Sequence, residues 1–191
     1  QLPLFDKPEV GLVFSRARWI DLSGATLTHV PQRYSTGRVL EHLIVENFVP
    51  FGTALVRRRA FNEVGGFDER YRMGIDWEAW LRFARRYEFA YLDAVTYVYR
   101  VWEGQMSNNV SGRFDAALRI MEGFVRDYPG EVSKKALNHG YADTYANRAL
   151  WRAQSGGKAT SIALDLWRAF RATPLDSGPW RTAAKCIVRR A

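Results

Sequence analysis

Between residues 49 and 109 the chain changes its hydrophobic period repeatedly, and that alternation limits what it can fold into. Thr53-Ala54-Leu55-Val56 reads as a short strand, and Val64-Gly65-Gly66-Phe67-Asp68-Glu69 interrupts it. Residues 76–87 then repeat apolar side chains at helical spacing. Trp77, Trp80, Leu81 and Ala84 make a stripe, and Glu78, Arg82, Arg85 and Arg86 are expected to face away from it. Residues 89–101 are aromatic and β-branched, which predicts two short strands or one bent strand broken near Asp93-Ala94. Strand, amphipathic helix and strand in this order predict an α/β fold.

The flanks extend the pattern. Residues 10–15, Val-Gly-Leu-Val-Phe-Ser, form an apolar run of the length of a buried strand. Asp21-Leu22-Ser23-Gly24 is a turn. Ser35 is a candidate cap for a helix running to about residue 47, with Val39, Leu40, Leu43, Ile44 and Asn47 on one face and Pro50 ending it. A short helix is expected over 58–64, with Gly65-Gly66 as its C-cap. Past residue 109 the pattern is wholly helical, over 114–127, 132–154, 158–172 and 180–190. Asp127-Tyr128-Pro129-Gly130, Ser155-Gly156-Gly157 and Thr173-Pro174 separate these helices. The division expected is an α/β domain over 1–110 and a helical region over 111–191. Residues 141–172 resemble one tetratricopeptide-type hairpin, and one hairpin is not an array.

Composition narrows the classes. The chain has 191 residues, 47% of them hydrophobic and 25% charged, as globular chains do. No apolar run nears the ~20 residues of a membrane span. The first residue is Gln, with no basic-then-apolar leader after it, so the native N-terminus is expected elsewhere. Cys186 is the single cysteine and reads as a small apolar helix residue; with no internal disulfide, a reducing compartment fits. The net charge of +8 suits anionic partners. Zinc spacings and nucleic-acid signatures are missing, which argues against a nucleic-acid role. His29, His42 and His139 are scattered without ligand spacing, and no serine sits in a hydrolase motif.

Several motifs together resemble the second half of a family-two glycosyltransferase with the GT-A fold. The run Pro8-Glu9-Val10-Gly11-Leu12-Val13-Phe14-Ser15, with Ala17, Ile20, Asp21 and Gly24 after it, matches the family segment that follows its DxD region. Gly65-Gly66-Phe67-Asp68-Glu69, then Ile75-Asp76-Trp77-Glu78, and finally Tyr99-Arg100-Val101-Trp102 through Ser107 match later motifs. The likeness covers about residues 8–109. The first half, with the nucleotide-binding units and the DxD carboxylates, is not in the chain. The resemblance implies a partial GT-A domain, with a mixed Rossmann-like sheet, followed by helices. It implies an inverting transferase that moves a sugar from a nucleotide-diphosphate sugar to a glycan or lipid-linked acceptor, as in cell-wall or polysaccharide synthesis. It also implies Mg²⁺ or Mn²⁺ in the complete enzyme, none of it held by motifs of this chain. A cytoplasmic place is implied, with possible contact at the inner face of the membrane, as is a possible partner supplying the missing half.

By the same resemblance Asp76 is the catalytic base. The family pair Glu-Asp is Ile75-Asp76 here, so the second carboxylate is kept. Local chemistry offers the plainer role of helix N-cap, and the two can coexist. Gly52, Thr53, Asp68, Glu69 and Glu78 are the acceptor-binding candidates, against plainer readings as turn residues and an exposed helix carboxylate. Arg100, Trp102, Gln105 and Ser107 are the donor-binding candidates, with Arg100 aimed at phosphate and Asn109 as a further hydrogen-bonding residue. Trp102 stands where the family often has a His, and an indole cannot bind a metal. Position 16, often Asp in the family, is Arg. Two other classes stay open: a non-catalytic binding or assembly module on a GT-A remnant, and a membrane-surface module using Trp180, Ile187, Val188, Arg189 and Arg190.

Overall fold

The computed structural model describes residues 1–28 and 33–188, without the side chains of Ile187 and Val188. His29, Arg189 and Arg190 therefore lie outside the described residues. The chain divides into two compact units, Gln1–Asn109 and Val110–Ala191.

The first unit is a three-stranded mixed sheet with helices. Strand β1 (Val10–Ile20) is central, antiparallel to β2 (Leu55–Val56) and parallel to β3 (Glu88–Arg100). Val10 through Ser15 are all buried, because a central strand covered on both faces needs a continuous apolar run. The strand continues five residues beyond that run. From Arg16 onward exposed and less exposed positions alternate, so the apolar pattern alone underestimates its length.

β3 is one strand. Its break falls at Asp93-Ala94: Ser15 pairs with Leu92 and Arg16 with Val95, so two residues of β3 are left over in a bulge. Arg16 turns to Asp93 at 3.0 Å, and both side chains face water. Tyr91 also donates to Asp93 (3.0 Å), and burial pushes its hydroxyl pKa up to about 12.

The connection between β1 and β3 carries α1 (Leu40–Leu43), α2 (Arg58–Glu63) and α3 (Ile75–Arg86). The helix expected over 35–47 is only four residues long, and Ser35 does not cap it. The Ser35 hydroxyl pairs with the His42 ring instead, and Gly37, with φ +77°, makes an isolated antiparallel bridge to Phe89. Likewise, the strand expected from Thr53 begins at Leu55, because Phe51–Thr53 makes a 3-10 turn. Gly65 and Gly66 close α2 as expected. Their φ angles are +86° and +69°, and their N–H groups return to Asn62 and Phe61 in a Schellman arrangement.

The core of this unit is aromatic. Trp80 and Phe83 of α3 pack with Phe51, Phe61 and Phe67, at ring-centroid distances of 5.3–6.4 Å. Phe67 of the Gly-Gly-Phe-Asp loop is thereby fixed against α3.

The second unit consists of α4 (Val110–Asp127), α5 (Lys134–Gln154), α6 (Ala159–Ala172) and α7 (Ser177–Val188). On α5 the buried alanines 142, 146, 149 and 153 repeat at a spacing of four and three, a narrow seam. Small side chains there let α6 pack close, with Ile162 and Ala169 buried on its side. Cys186 is buried against Ala149, Ala153 and Ile162 and acts as a small apolar residue. Asp165, fully buried, accepts from Arg148 (2.7 and 3.1 Å) and from Arg152 (2.5 Å); Arg148 also reaches Asp115 at 2.9 Å. Among the described residues no helix is long and apolar enough to cross a membrane.

Candidate active site

Gly74 precedes α3 with φ +73°, and Ile75 opens the helix. Asp76 is thus the second helical residue and not the N-cap. In the first turn its carboxylate meets free backbone N–H groups and the positive end of the helix. Burial pushes its pKa above the ordinary carboxylate range. The Trp77 N–H, the Asn47 amide and its own N–H pull it back only in part. Asn47 Nδ2 donates to Oδ2 at 3.1 Å, and among the described residues no cationic side chain pairs with Asp76. The helix dipole alone would weaken this base, and desolvation outweighs it.

Asn47 is the site residue that sequence reasoning passed over, having read it as one position on a helix face. It lies past the end of α1, in a segment tied down twice. Its Oδ1 accepts from the Val49 N–H (3.4 Å), and Trp77 Nε1 of α3 donates to the Leu43 carbonyl (2.7 Å). An Asn followed by Phe-Val-Pro and closing on a carboxylate 29 residues later leaves no local signal.

Glu78 and Arg82 do not face away from the core. They pair through two contacts of 2.7 Å, with side chains only 13% and 10% exposed. Arg82 also donates to the Val64 and Gly66 carbonyls. Both Glu78 oxygens are therefore engaged, and the pair fastens the glycine loop to the helix that carries Asp76. The physical reason is the loop itself: carbonyls turned inward by the positive-φ glycines need a donor.

The other acceptor-side candidates fall into two kinds. Thr53 is buried; its hydroxyl donates to the Pro50 carbonyl (2.8 Å) and accepts from the Ser15 N–H (3.2 Å), so it stitches the turn to β1. Gly52 lies under the Tyr97 ring, where a Cβ would come within 2.4 Å of a ring carbon. Asp68 and Glu69 stay at the surface. Asp68 accepts both nitrogens of the Arg70 fork, which holds its pKa below the ordinary value, and Glu69 is exposed. The 51–53 turn and the 65–69 loop meet α3 at the Phe51, Phe67 and Trp80 rings.

The donor-side candidates gather elsewhere in the unit. Arg100 Nη1 donates to the Asp21 and Leu22 carbonyls (3.0 and 3.2 Å). The 21–24 turn it holds is closed by Asp21, which accepts from Ser23 Oγ and the Ala25 N–H; the Ser23 hydrogen bond chiefly keeps its carboxyl pKa low. Residues 101–109 bond to one another: Gln105 accepts from the Trp102 N–H and donates to Asn108, and Asn108 donates to the Trp102 and Glu103 carbonyls. Ser107 meets the Tyr99 hydroxyl at 3.2 Å, and the Trp102 indole is half exposed. This loop and the 21–23 turn border an open hollow of about 480 Å³.

A family model described as glycosyltransferase like family 2 matches residues 2–149, three quarters of the chain. The chain belongs to that family. The match runs past the expected limit near 109, through α4 and most of α5, so the family likeness is not confined to the sheet unit of this glycosyltransferase. No curated protein matches the chain. Divalent metals accompany the fold family, yet among the described residues no three His, Cys, Asp or Glu side chains could together hold a metal ion. The described residues do not fit that group.

Proposed function

We propose that the chain is the acceptor-side half of an inverting glycosyltransferase, with Asp76 as its base. The observation that carries this is the Asp76 carboxylate itself. It is withdrawn from water, raised in pKa, and neutralised by no cation among the described residues. A carboxylate so placed keeps lone pairs for chemistry and is a stronger base than one in solution.

In the reaction, the acceptor hydroxyl attacks the anomeric carbon while its proton passes to Asp76. The bond to the nucleoside diphosphate breaks, and its electron pair leaves with the diphosphate. Asn47 holds Oδ2 of the carboxylate that takes the proton. Asp68 and Glu69, on the loop fastened by Glu78 and Arg82, accept hydrogen bonds from acceptor hydroxyls. Gly52 and Thr53 shape the adjoining turn. Arg100, Trp102, Gln105 and Ser107 belong to the donor side, closing over the nucleotide from the hollow beside residues 21–23. The donor is a nucleotide-diphosphate sugar and the acceptor a glycan or lipid-linked sugar, in the cytoplasm. The nucleotide-binding half and the ligands for Mg²⁺ or Mn²⁺ come from outside residues 1–191.

Two measurements test this. Asp76→Asn in a full-length form should abolish transfer, and transfer that survives nearly unchanged would end the base assignment. A thermal-shift titration of the chain with UDP, GDP and dTDP, each with and without Mn²⁺, should show no stabilisation. A metal-dependent rise with one nucleotide would place the donor site inside the chain and refute the half-enzyme reading.

A further inference from the structure

The two units divide the charge unequally. Residues 1–109 hold 14 Lys and Arg against 13 Asp and Glu, and residues 110–191 hold 14 against seven. The helical unit thus carries seven of the eight net positive charges. Within it, residues 158–188 contain five cationic side chains and only two carboxylates. One of the two, Asp165, is fully buried between arginines, and the other, Asp176, lies 3.4 Å from His139. The outward side of α6 and α7 is therefore cationic almost without opposition.

That side also shows large apolar groups. Trp167 is 54% exposed, Trp180 62% and Leu164 44%. Leu164, Trp167 and Arg171 recur at spacings of three and four on α6, one stripe of the helix. Phe170, beside them, packs on Trp180 of α7 at 4.2 Å between ring centroids, which joins the stripe to the second helix. The Arg171 guanidinium lies over the Trp167 ring at 5.3 Å, and Arg181 and Lys185 follow Trp180 along α7.

We propose that this α6–α7 face, with Leu164, Trp167 and Trp180 at its centre and Arg171, Arg181 and Lys185 around them, docks the chain on an anionic lipid surface. Charge complementarity chooses the partner class, and the exposed apolar groups choose lipid within it. A soluble polyanion would satisfy the arginines and leave Leu164 and the indoles in water. A lipid headgroup layer accepts both, because indole rings favour the boundary between headgroups and acyl chains while cations meet the phosphates. The face is independent of the role assigned to Asp76.

Co-sedimentation of the whole chain with vesicles tests the proposal. The chain should pellet with phosphatidylcholine vesicles containing phosphatidylglycerol, not with phosphatidylcholine alone, and less as salt rises. Trp167→Ala with Trp180→Ala should cut binding several-fold. Arg171→Glu with Lys185→Glu should cut it by about tenfold or more. Circular dichroism checks that the helices persist, and single substitutions serve if a double variant fails to fold. No pelleting at low salt would overturn the proposal. So would pelleting that ignores the loss of both tryptophans, with equal retention on heparin, which would make the face a polyanion site. A concentration-dependent dimer dispersed by the tryptophan variant would overturn it in favour of a second copy of the chain.

Discussion

Each unit hides a carboxylate from water, and the two are compensated in opposite ways. In the helical unit Asp165 is fully buried and receives three hydrogen bonds from two guanidinium groups. In the sheet unit Asp76 receives one amide N–H from Asn47 and backbone N–H groups, and its pKa rises. A carboxylate enclosed by arginines has its charge cancelled and its lone pairs used, so it serves the packing of α5 on α6. A carboxylate held by neutral donors keeps both charge and basicity. The difference in compensation, with Asp165 buried among arginines and Asp76 half-buried among neutral donors, separates a structural acid from a candidate base.

The comparison can be broken at several points. The largest stability effect is expected at Asp165→Ala, which leaves Arg148 buried with only the surface carboxylate of Asp115. Losing one partner of such a pair costs about 3–5 kcal/mol, to be read from urea unfolding of the whole chain. An unchanged midpoint would remove Asp165 from its structural role. Asp76→Asn should act the other way. Transfer by a full-length form should fall by roughly 10²–10⁴-fold, while the urea midpoint at pH 7 does not fall.

The sign of that stability difference follows from linkage. The folded pKa of Asp76 lies above its unfolded value, so the native state binds more protons. Stability is then lost as pH rises from the unfolded pKa through the folded one. Wild type minus Asp76→Asn should show this decline and then level off. A flat difference between pH 3 and pH 8 would mean the carboxyl is not desolvated.

A smaller cost, about 2–3 kcal/mol, is expected for Arg82→Met. That change strands Glu78 and releases the Val64 and Gly66 carbonyls. Limited proteolysis in the 64–69 loop should accelerate; an unchanged cutting rate would separate Arg82 from the loop. The smallest effect, about 1 kcal/mol, is expected for Asn47→Ala. The carboxyl signal of Asp76 followed by NMR should then titrate at still higher pH, because a donor to the charged form is gone. A titration unmoved by the substitution would show that Asn47 does not act on Asp76.

Much of the fold was legible locally. The strand at Val10, the bulge at Asp93-Ala94, the glycine pair closing α2 and the helices after residue 109 all announce themselves through period, propensity or backbone freedom. The position of Asp76 in the first turn of α3 was nearly right, displaced because Gly74 in the left-handed region takes the capping place. The site was less legible. Sequence spacing put Glu78 and Arg82 on the water side, and only the approach of the glycine loop turned that side inward. Only the structure shows that Thr53, an acceptor-side candidate, also stitches its turn to β1.

By itself the sequence determined the α/β and helical pattern, the family likeness, the charge total and the carboxylates from which a base could be drawn. Those follow from side-chain chemistry and short-range periodicity, which act within a few residues. Tertiary structure alone decided which carboxylate keeps its basicity, that Asn47 reaches Asp76 across 29 residues, and that Arg82 spends its charge on a loop. It also decided that Phe170 of α6 packs on Trp180 of α7. Desolvation and pairing depend on what the rest of the chain brings near, and neither is a property of the local sequence.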